Sequence, residues 1–477
     1  MRLPASRFAV ALSLILALTA FNLCFRLSTE PVAQWDESIY ATSALEMVET
    51  GELIGTTFNG ALDYYNSKPP LNVWIIAAAF KVAGTNLVAM RATSVLAAGL
   101  TVLVLILWAR RFTGDAIALL AGLVLATSFG FVHLHSGRSA NPDALMSLLL
   151  LLVVVVATTF DAKPWRLAWL GPLLAGVFLL KGMAVLLPLV FLGVTGVARL
   201  SLRKTIPWKP VGVAAVLLIV PTAAWAVARW RLDEARFLQL LFTQDLLWAT
   251  TRALDGHAGP WFYYPNIIQR YQYDWVVAAI VAAAASWPAV RRGCSALVQA
   301  CVTREGPAFT LTAWAGVLLA VITIMQTKLP WYVIPLYPAF SLAVAWLIWT
   351  AVNSSTNPSS ARRRSAAAVA VVARLVAEGK LTWHTVAKRR LEGTVQGLVM
   401  SARDDLAGKT VFRAGWPRDD AFVVRAIGQA RPVLALDVTS FLELAAEGDV
   451  LVADADLLHP SLERLRVSGR HALFRRR

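Results

Sequence analysis

Of 477 residues, 57% are hydrophobic and only 16% are charged, and 45 basic against 29 acidic residues leave a formal charge of +16. A soluble chain carries roughly a quarter charged residues, so a wholly soluble enzyme is excluded and the apolar surplus reads as a polytopic membrane protein. Three scattered cysteines (Cys24, Cys294, Cys301) exclude a disulfide framework and lack the spacing of a zinc or redox motif, and the basic excess is better read as loops that orient membrane spans than as a nucleic-acid footprint.

In chain order, Arg2 and Arg7 precede an apolar run over 8–27. No small-residue cleavage site follows it, and residues 21–27 are bulky, so it reads as an uncleaved first span with its N-terminus inside. Residues 29–70 then lie outside. The apolar run 71–83 has only thirteen residues, short of the roughly twenty that a span needs, so juxtamembrane helices are expected in this first outer loop. The next span, 88–109, then ends inside at Arg110-Arg111, as the positive-inside rule requires. Further spans are expected near 115–132, 144–160, 167–180, 183–199, 210–229, 274–290, 309–325 and 331–350, about ten in all. Inner turns then hold Lys163 and Arg166, then Arg199, Arg203, Lys204 and Lys209, then Arg291 and Arg292, and lastly Arg362 to Arg364.

The composition changes near 353, which divides the chain into a membrane domain over 1–352, a polar linker over 353–365 and a small soluble α/β domain over 366–477. Short β-like runs lie at Thr410 to Phe412, Pro432 to Leu436 and Asp449 to Ala453. An even number of spans places this last domain in the cytoplasm, and one further span, for which 366–376 is the sole suspect, places it outside.

The acids are unevenly spread: seven fall between Glu30 and Asp63 and thirteen after residue 365. Asp36 and Glu37 directly follow the first span, where two adjacent carboxylates are costly against lipid. Their plain structural reading is the start of an amphipathic helix over 37–50. Lys68-Pro69-Pro70 is a rigid cation among aromatics, suited to an anionic headgroup. In the next outer loop, His133, His135 and Arg138 precede Asp143, which opens a span. The two histidines read as interfacial hydrogen-bonders before metal ligands. His257-Ala258-Gly259-Pro260-Trp261 and Lys328-Leu329-Pro330-Trp331-Tyr332 complete the set, and Lys328 breaks the positive-inside pattern. All four clusters fall on one face of the membrane, which suggests chemistry on a lipid phosphate and a sugar. A transporter or flippase of a lipid-linked substrate is the alternative, although such proteins place charges at mid-membrane, often with inverted repeats.

Taken together, Asp36-Glu37 after the first span, Lys68-Pro69-Pro70-Leu71 with Trp74, Pro142-Asp143, Lys181-Gly182, His257-Ala258-Gly259-Pro260-Trp261 and Lys328-Leu329-Pro330-Trp331-Tyr332 resemble the C-type membrane glycosyltransferases. The similarity is strongest to bacterial relatives of the protein O-mannosyltransferases, including the aminoarabinose transferase acting on lipid A, and covers roughly residues 8–350. It implies a polyprenyl-phosphate sugar donor, a lipid, glycan or protein acceptor, and an active site on the outer face of a bacterial inner membrane. Asp36, Asp143 and Glu37 are the catalytic candidates, with Asp36 as the base or positioning carboxylate of an inverting transfer and Glu37 better placed for the helix turn. Lys68, Arg138, Lys328 and Tyr332 are the donor-phosphate candidates, and Tyr40, Tyr65, His257 and Trp331 the substrate-binding ones. The sequence departs from the family at Ile39, where an Arg is common, and at Ser67, where a Glu is common. In the aminoarabinose branch that Glu helps the loop His hold a divalent metal, so Ser67 counts against a metal here and no cofactor is assigned. Nucleic acid is not an expected partner.

Overall fold

The computed structural model describes residues 2–33, 35–353, 360–388, 391–414, 417–435 and 437–477. Helices α1 (Ala5–Cys24), α2 (Asp36–Thr50), α3 (Leu71–Ala83), α4 (Leu87–Thr113) and α5 (Asp115–Ala126) open the chain, and the two-residue strands β1 (Thr57–Phe58) and β2 (Ala61–Leu62) form a small hairpin before α3. There follow α6 (Phe129–His133), α7 (Asp143–Thr159), α8 (Leu170–Lys181), α9 (Leu186–Ser201) and α10 (Trp208–Asp233). Next are the short α11 (Arg236–Phe242) and α12 (Ala249–Thr251), then α13 (Tyr263–Ala285), α14 (Trp287–Thr303), α15 (Gly306–Ile324), α16 (Tyr337–Asn353) and α17 (Ser360–Trp383).

By length and composition, seven helical stretches can cross a membrane, or eight if α13 and α14, bent by 102°, count as one. The expected span 115–132 contains the apolar helix α5, 12 residues long, and the two expected spans 167–180 and 183–199 form one apolar stretch, Pro164–Ser201, broken at Gly182. Side-chain contacts show what that break does. Lys181 at the break meets Asp143 at the start of α7, whereas Arg199 at the far end of α9 meets Asp161 beyond the end of α7. The stretch therefore runs to one face and back. The expected juxtamembrane helix over 71–83 is α3; it packs on α2 in a separate apolar cluster with Ala41, Ala44, Val73, Ile76 and Phe80.

The chain's second turning point is α17. Its alanines Ala366, Ala373 and Ala377 pack against Trp275 and Ala278 of α13 and Val344 and Ile348 of α16. Near its end, Lys380 lies 3.7 Å from the Asp274 carboxylate, and Glu378 accepts a hydrogen bond from Asn22 at the end of α1. His384, just beyond it, stacks edge-on against Phe129 and His133 of α6. Tyr337, the first residue of α16, also lies against Gly130 of α6, so α17 runs antiparallel to α16 and returns the chain to the face where α6 lies. Its polar groups are sheltered by neighbouring helices, which is why hydropathy alone misses it. The helix also takes in residues 360–365 of the expected linker, while 354–359 lie outside the described residues.

Beyond α17 come α18 (Val395–Ser401), α19 (Arg403–Leu406), β3 (Thr410–Ala414), β4 (Arg431–Ala435), α20 (Val438–Leu444), β5 (Val450–Asp454), β6 (Leu462–Ser468) and β7 (His471–Arg476). The sheet order is β4-β3-β5-β7-β6, with β3 parallel to β4 and β5, and β7 antiparallel to β5 and β6. This unit sits on the first outer loop. Arg425 pairs with Glu46 and Glu49 of α2, Arg418 bonds Asp63 at 2.5 Å, and the Ser38 hydroxyl donates to the Arg418 carbonyl. The even-count placement in the cytoplasm is thereby overturned, because the sheet lies on the same face as Asp36. A cysteine at Leu458, which is 87% exposed, should accordingly react with an impermeant maleimide in intact spheroplasts of a cysteine-free variant. Reaction only after permeabilisation would contradict this placement.

Candidate active site

Asp36 is the first residue of α2, and Trp35 before it holds φ +66 and ψ −117. A bulky residue there is strained by about 1–3 kcal/mol, so the surroundings must fix the turn. Glu37 does so. Buried to 1% exposure, it accepts two bonds from the guanidinium of Arg91 on α4, at 2.9 and 3.1 Å. It also accepts the backbone N–H groups of Ala33 at 2.6 Å and Ala140 at 2.9 Å. Every lone pair of Glu37 is therefore engaged, and one carboxylate ties together α2, α4 and the loop before α7. Asp36, by contrast, leaves 42% of its side chain exposed.

The loop before α7 presents His135 to that carboxylate. His135 adopts φ +55, a left-handed conformation that His enters more readily than most residues. Its Nε2 lies 3.2 Å from Asp36 and its Nδ1 2.8 Å from Asp143. A neutral imidazole can donate from only one nitrogen, so two carboxylate partners select the imidazolium. Burial pushes its pKa down, but the bonds and charges of Asp143 and Asp36 outweigh this and raise it to about 9. On Asp36, burial pushes upward, and the hydrogen bond and charge of His135, helped by Lys68, hold the carboxyl below its ordinary range. The sign follows: the contribution of the His135 charge to stability is complete below about pH 6.5 and fades as pH rises through about 9.

Asp143, the first residue of α7, also accepts a 2.6 Å bond from Lys181, the last residue of α8. Gly182 turns the chain at once, with φ +53 and ψ −119. A Cβ there would lie 2.5 Å from Leu241 and 3.2 Å from the Asp245 carboxylate, so the position requires glycine for both conformation and space. Asp245 belongs to a wide helical turn over Thr243–Trp248 and accepts bonds from Lys68, at 2.5 Å, and from the Ser67 hydroxyl, at 3.1 Å. Trp331 stacks on His135 with centroids 4.1 Å apart, and the Lys181 ammonium lies 5.4 Å from the Tyr332 ring centre. Tyr40, one turn beyond Asp36, is buried; that burial and the charges of Asp36, Asp143 and Asp245 push its phenol well above the ordinary range, so it remains a proton donor.

The structure thus gathers Asp36, Tyr40, Lys68, Asp143, Trp331 and Tyr332. Other expected site residues stand apart. Glu37 is a clamp rather than a catalytic group or a cap of its own helix turn. Arg138 is buried, bonded to Glu30 and to the carbonyls of Asn22, Leu23 and Phe25, which leaves its fork nothing to offer a phosphate. Lys328 donates from Nζ to the carbonyls of Thr323 and Met325 at the end of α15, and burial presses its pKa down. Tyr65 lies outside the cluster against Trp35 and Arg418, and His257 is exposed. Ser67, at the position where a Glu is common, donates its hydroxyl to Asp245, and no group of three metal-ligating side chains occurs among the described residues. Sequence reasoning assigned no role to Lys181, although its Lys-Gly turn was visible, and passed over Asp245, for which only an acid in an outer loop gave any signal.

A family model described as dolichyl-phosphate-mannose-protein mannosyltransferase matches residues 67–225. Among curated proteins, an undecaprenyl phosphate-alpha-4-amino-4-deoxy-L-arabinose arabinosyl transferase of Pseudomonas fluorescens is 30% identical over 68% of this chain and 57% of its own length. The Pseudomonas aeruginosa protein of that name is 30% identical over 67% and 56%. Among solved structures, ArnT from Cupriavidus metallidurans bound to undecaprenyl phosphate superposes with a TM-score of 0.72 at 16% identity, covering 99% of this chain and 98% of that one. The chain carries the fold of the C-type membrane glycosyltransferases and is related to the aminoarabinose transferases and protein mannosyltransferases. The Archaeoglobus fulgidus oligosaccharyltransferase shares that fold more distantly, with a TM-score of 0.57 at 11% identity over 94% of this chain and 69% of that one. The chain spans little more than half the length of the curated relatives it matches.

The buried Asp143–Lys181 pair gives a direct test of the geometry. Removing one partner of a buried pair costs about 3–5 kcal/mol, because the other charge stays behind. Lys181→Met should lie at the low end, about 3 kcal/mol, since His135 still faces Asp143. Adding Asp143→Asn should recover part of the loss. Thermal unfolding in detergent reads both, and a double variant no more stable than the single one would contradict the pairing.

Proposed function

We propose that the protein transfers a glycosyl group from a polyprenyl-phosphate-linked sugar to a lipid, glycan or protein acceptor at the outer face of a bacterial inner membrane. The observation that carries this reading is the continuous chain Asp36–His135–Asp143–Lys181, set beside Lys68 on the fold of relatives named as transferases. The face assignment follows from charge: Arg199, Lys204 and Arg304 line the opposite face, as inner turns should.

In this reading, the donor sugar lies against the exposed edge of Asp36. An acceptor hydroxyl attacks the anomeric carbon, Asp36 takes its proton, and the bond to the polyprenyl phosphate breaks with inversion. The leaving phosphate gains negative charge, which fixed cations stabilise without reorganising. Lys68, 28% exposed and shared with Asp245, supplies that charge directly, and Lys181 acts with it across Asp143. His135 does not move a proton to the substrate. Its charge keeps Asp36 ionised and aimed, and Trp331 holds the ring in plane by stacking.

Asp36→Asn keeps shape and removes charge and basicity, so turnover on a hydroxyl acceptor should fall by about 10²–10⁴-fold. Lys68→Ala should raise the apparent KM for donor as well. Both are read as release of polyprenyl phosphate by purified protein from a set of polyprenyl-phosphate sugars. More than half of wild-type turnover in Asp36→Asn would remove the catalytic assignment, and no release by wild type with any donor would remove the function.

A further inference from the structure

On the face opposite Asp36, a cavity of about 410 Å³ opens among the ends of α7, α8, α9, α10 and α15. Its walls are apolar, with Leu174, Leu189, Leu192, Val211, Leu218 and Phe309 facing in. Its mouth is charged. Arg199 is held there by Asp161 at 2.8 Å and by the Thr205 carbonyl at 2.9 Å. Lys204 meets Glu305 at 2.6 Å, but both side chains are about half exposed, at 46% and 50%. Such a pair contributes little and exchanges partners readily. Arg304 donates to the Ser201 hydroxyl at 2.7 Å and pairs with no carboxylate among the described residues.

A third feature points to the same place. Helix α15 begins at Gly306, on the cavity wall, and its N-cap residue Glu305 makes no capping bond. The positive end of this 19-residue helix, whose first turn contains Pro307, therefore lies at the mouth beside Arg304 and Lys204. The positive-inside rule accounts for cations in inner turns. It does not require them to ring an apolar cavity, nor to leave one guanidinium without an acid. Beside the cavity, α10 turns Val213, Val216 and Leu217 outward, an apolar surface suited to the bilayer.

We propose that this cavity binds an anionic glycerophospholipid from the leaflet opposite the Asp36 cluster. Arg304 and Lys204 hold its phosphate at the start of α15, and one acyl chain fills the apolar space. A soluble phosphate ester would satisfy the mouth and leave the cavity unused.

Native mass spectrometry of the delipidated, full-length protein tests this with phosphatidylglycerol and phosphatidylcholine. Wild type should retain phosphatidylglycerol about tenfold better, equivalent to about 1.4 kcal/mol, because the choline cation of phosphatidylcholine offsets its phosphate beside Arg304 and Lys204. The surface variant Lys204→Gln/Arg304→Gln should lose that preference, and Arg304→Lys should keep most of it. Gly196→Trp should reduce retention of phosphatidylglycerol, since a Cβ at Gly196 meets nothing within 4 Å and the indole enters the cavity that this residue lines. Equal retention of the two lipids by wild type would overturn the proposal. So would an unchanged preference in the double variant, or equal displacement by glycerol 3-phosphate.

Discussion

The double contact of His135 with Asp36 and Asp143 is the interaction on which the rest of the site depends. Two carboxylates near one another repel and would drive one another towards the neutral acid. An imidazolium between them removes that conflict and keeps both ionised. Lys181 closes the chain at its buried end, and the exposed edge of Asp36 remains free at the other. The charge is distributed so that the one carboxylate open to substrate is also the one farthest along the chain from the fixed ammonium.

Those side chains come from segments remote in sequence, and their meeting has to be enforced. Buried ion pairs do this. Glu37–Arg91 locks the turn that carries Asp36 to α4 and to the loop carrying His135, while Arg138–Glu30 ties that same loop to the end of α1. Replacing such pairs by apolar residues is often neutral for stability, so we attribute them to position rather than to net energy. Gly182 serves the same end differently, by letting Asp245 approach the Lys181 turn. The C-terminal sheet adds a further restraint from outside, through Arg418 on Asp63 and Arg425 on α2.

The sequence made the membrane class, the outer loops and several members of the cluster legible. Asp36, Lys68, Asp143, Trp331 and Tyr332 stand out because charge and aromatics at a span's edge are expensive unless used. What could not be read is the direction of a side chain within its loop. Arg138 and Lys328 look as available as Lys68, but their neighbours are carbonyls that satisfy them first. His135 and His133 are two residues apart, yet His135, in a left-handed turn, reaches Asp36 and Asp143, whereas His133 lies 4.0 Å from Glu30. Helix α17 showed in the sequence only as the suspect run 366–376, because a helix between α13 and α16 need not be apolar on every face. Leaving it out of the count is what gave the cytoplasmic alternative for the C-terminal domain.

The charge of His135 decides whether Asp36 and Asp143 share one cation. Nitrogen NMR of imidazole-labelled protein reads it directly, with the signal assigned by its loss in His135→Gln. The structure predicts both ring nitrogens protonated near neutral pH, with deprotonation at about 9 and a fall towards the ordinary range in Asp143→Asn. A neutral imidazole near neutral pH, in either tautomer, would mean that the two carboxylates are not held by a shared cation and would contradict the account.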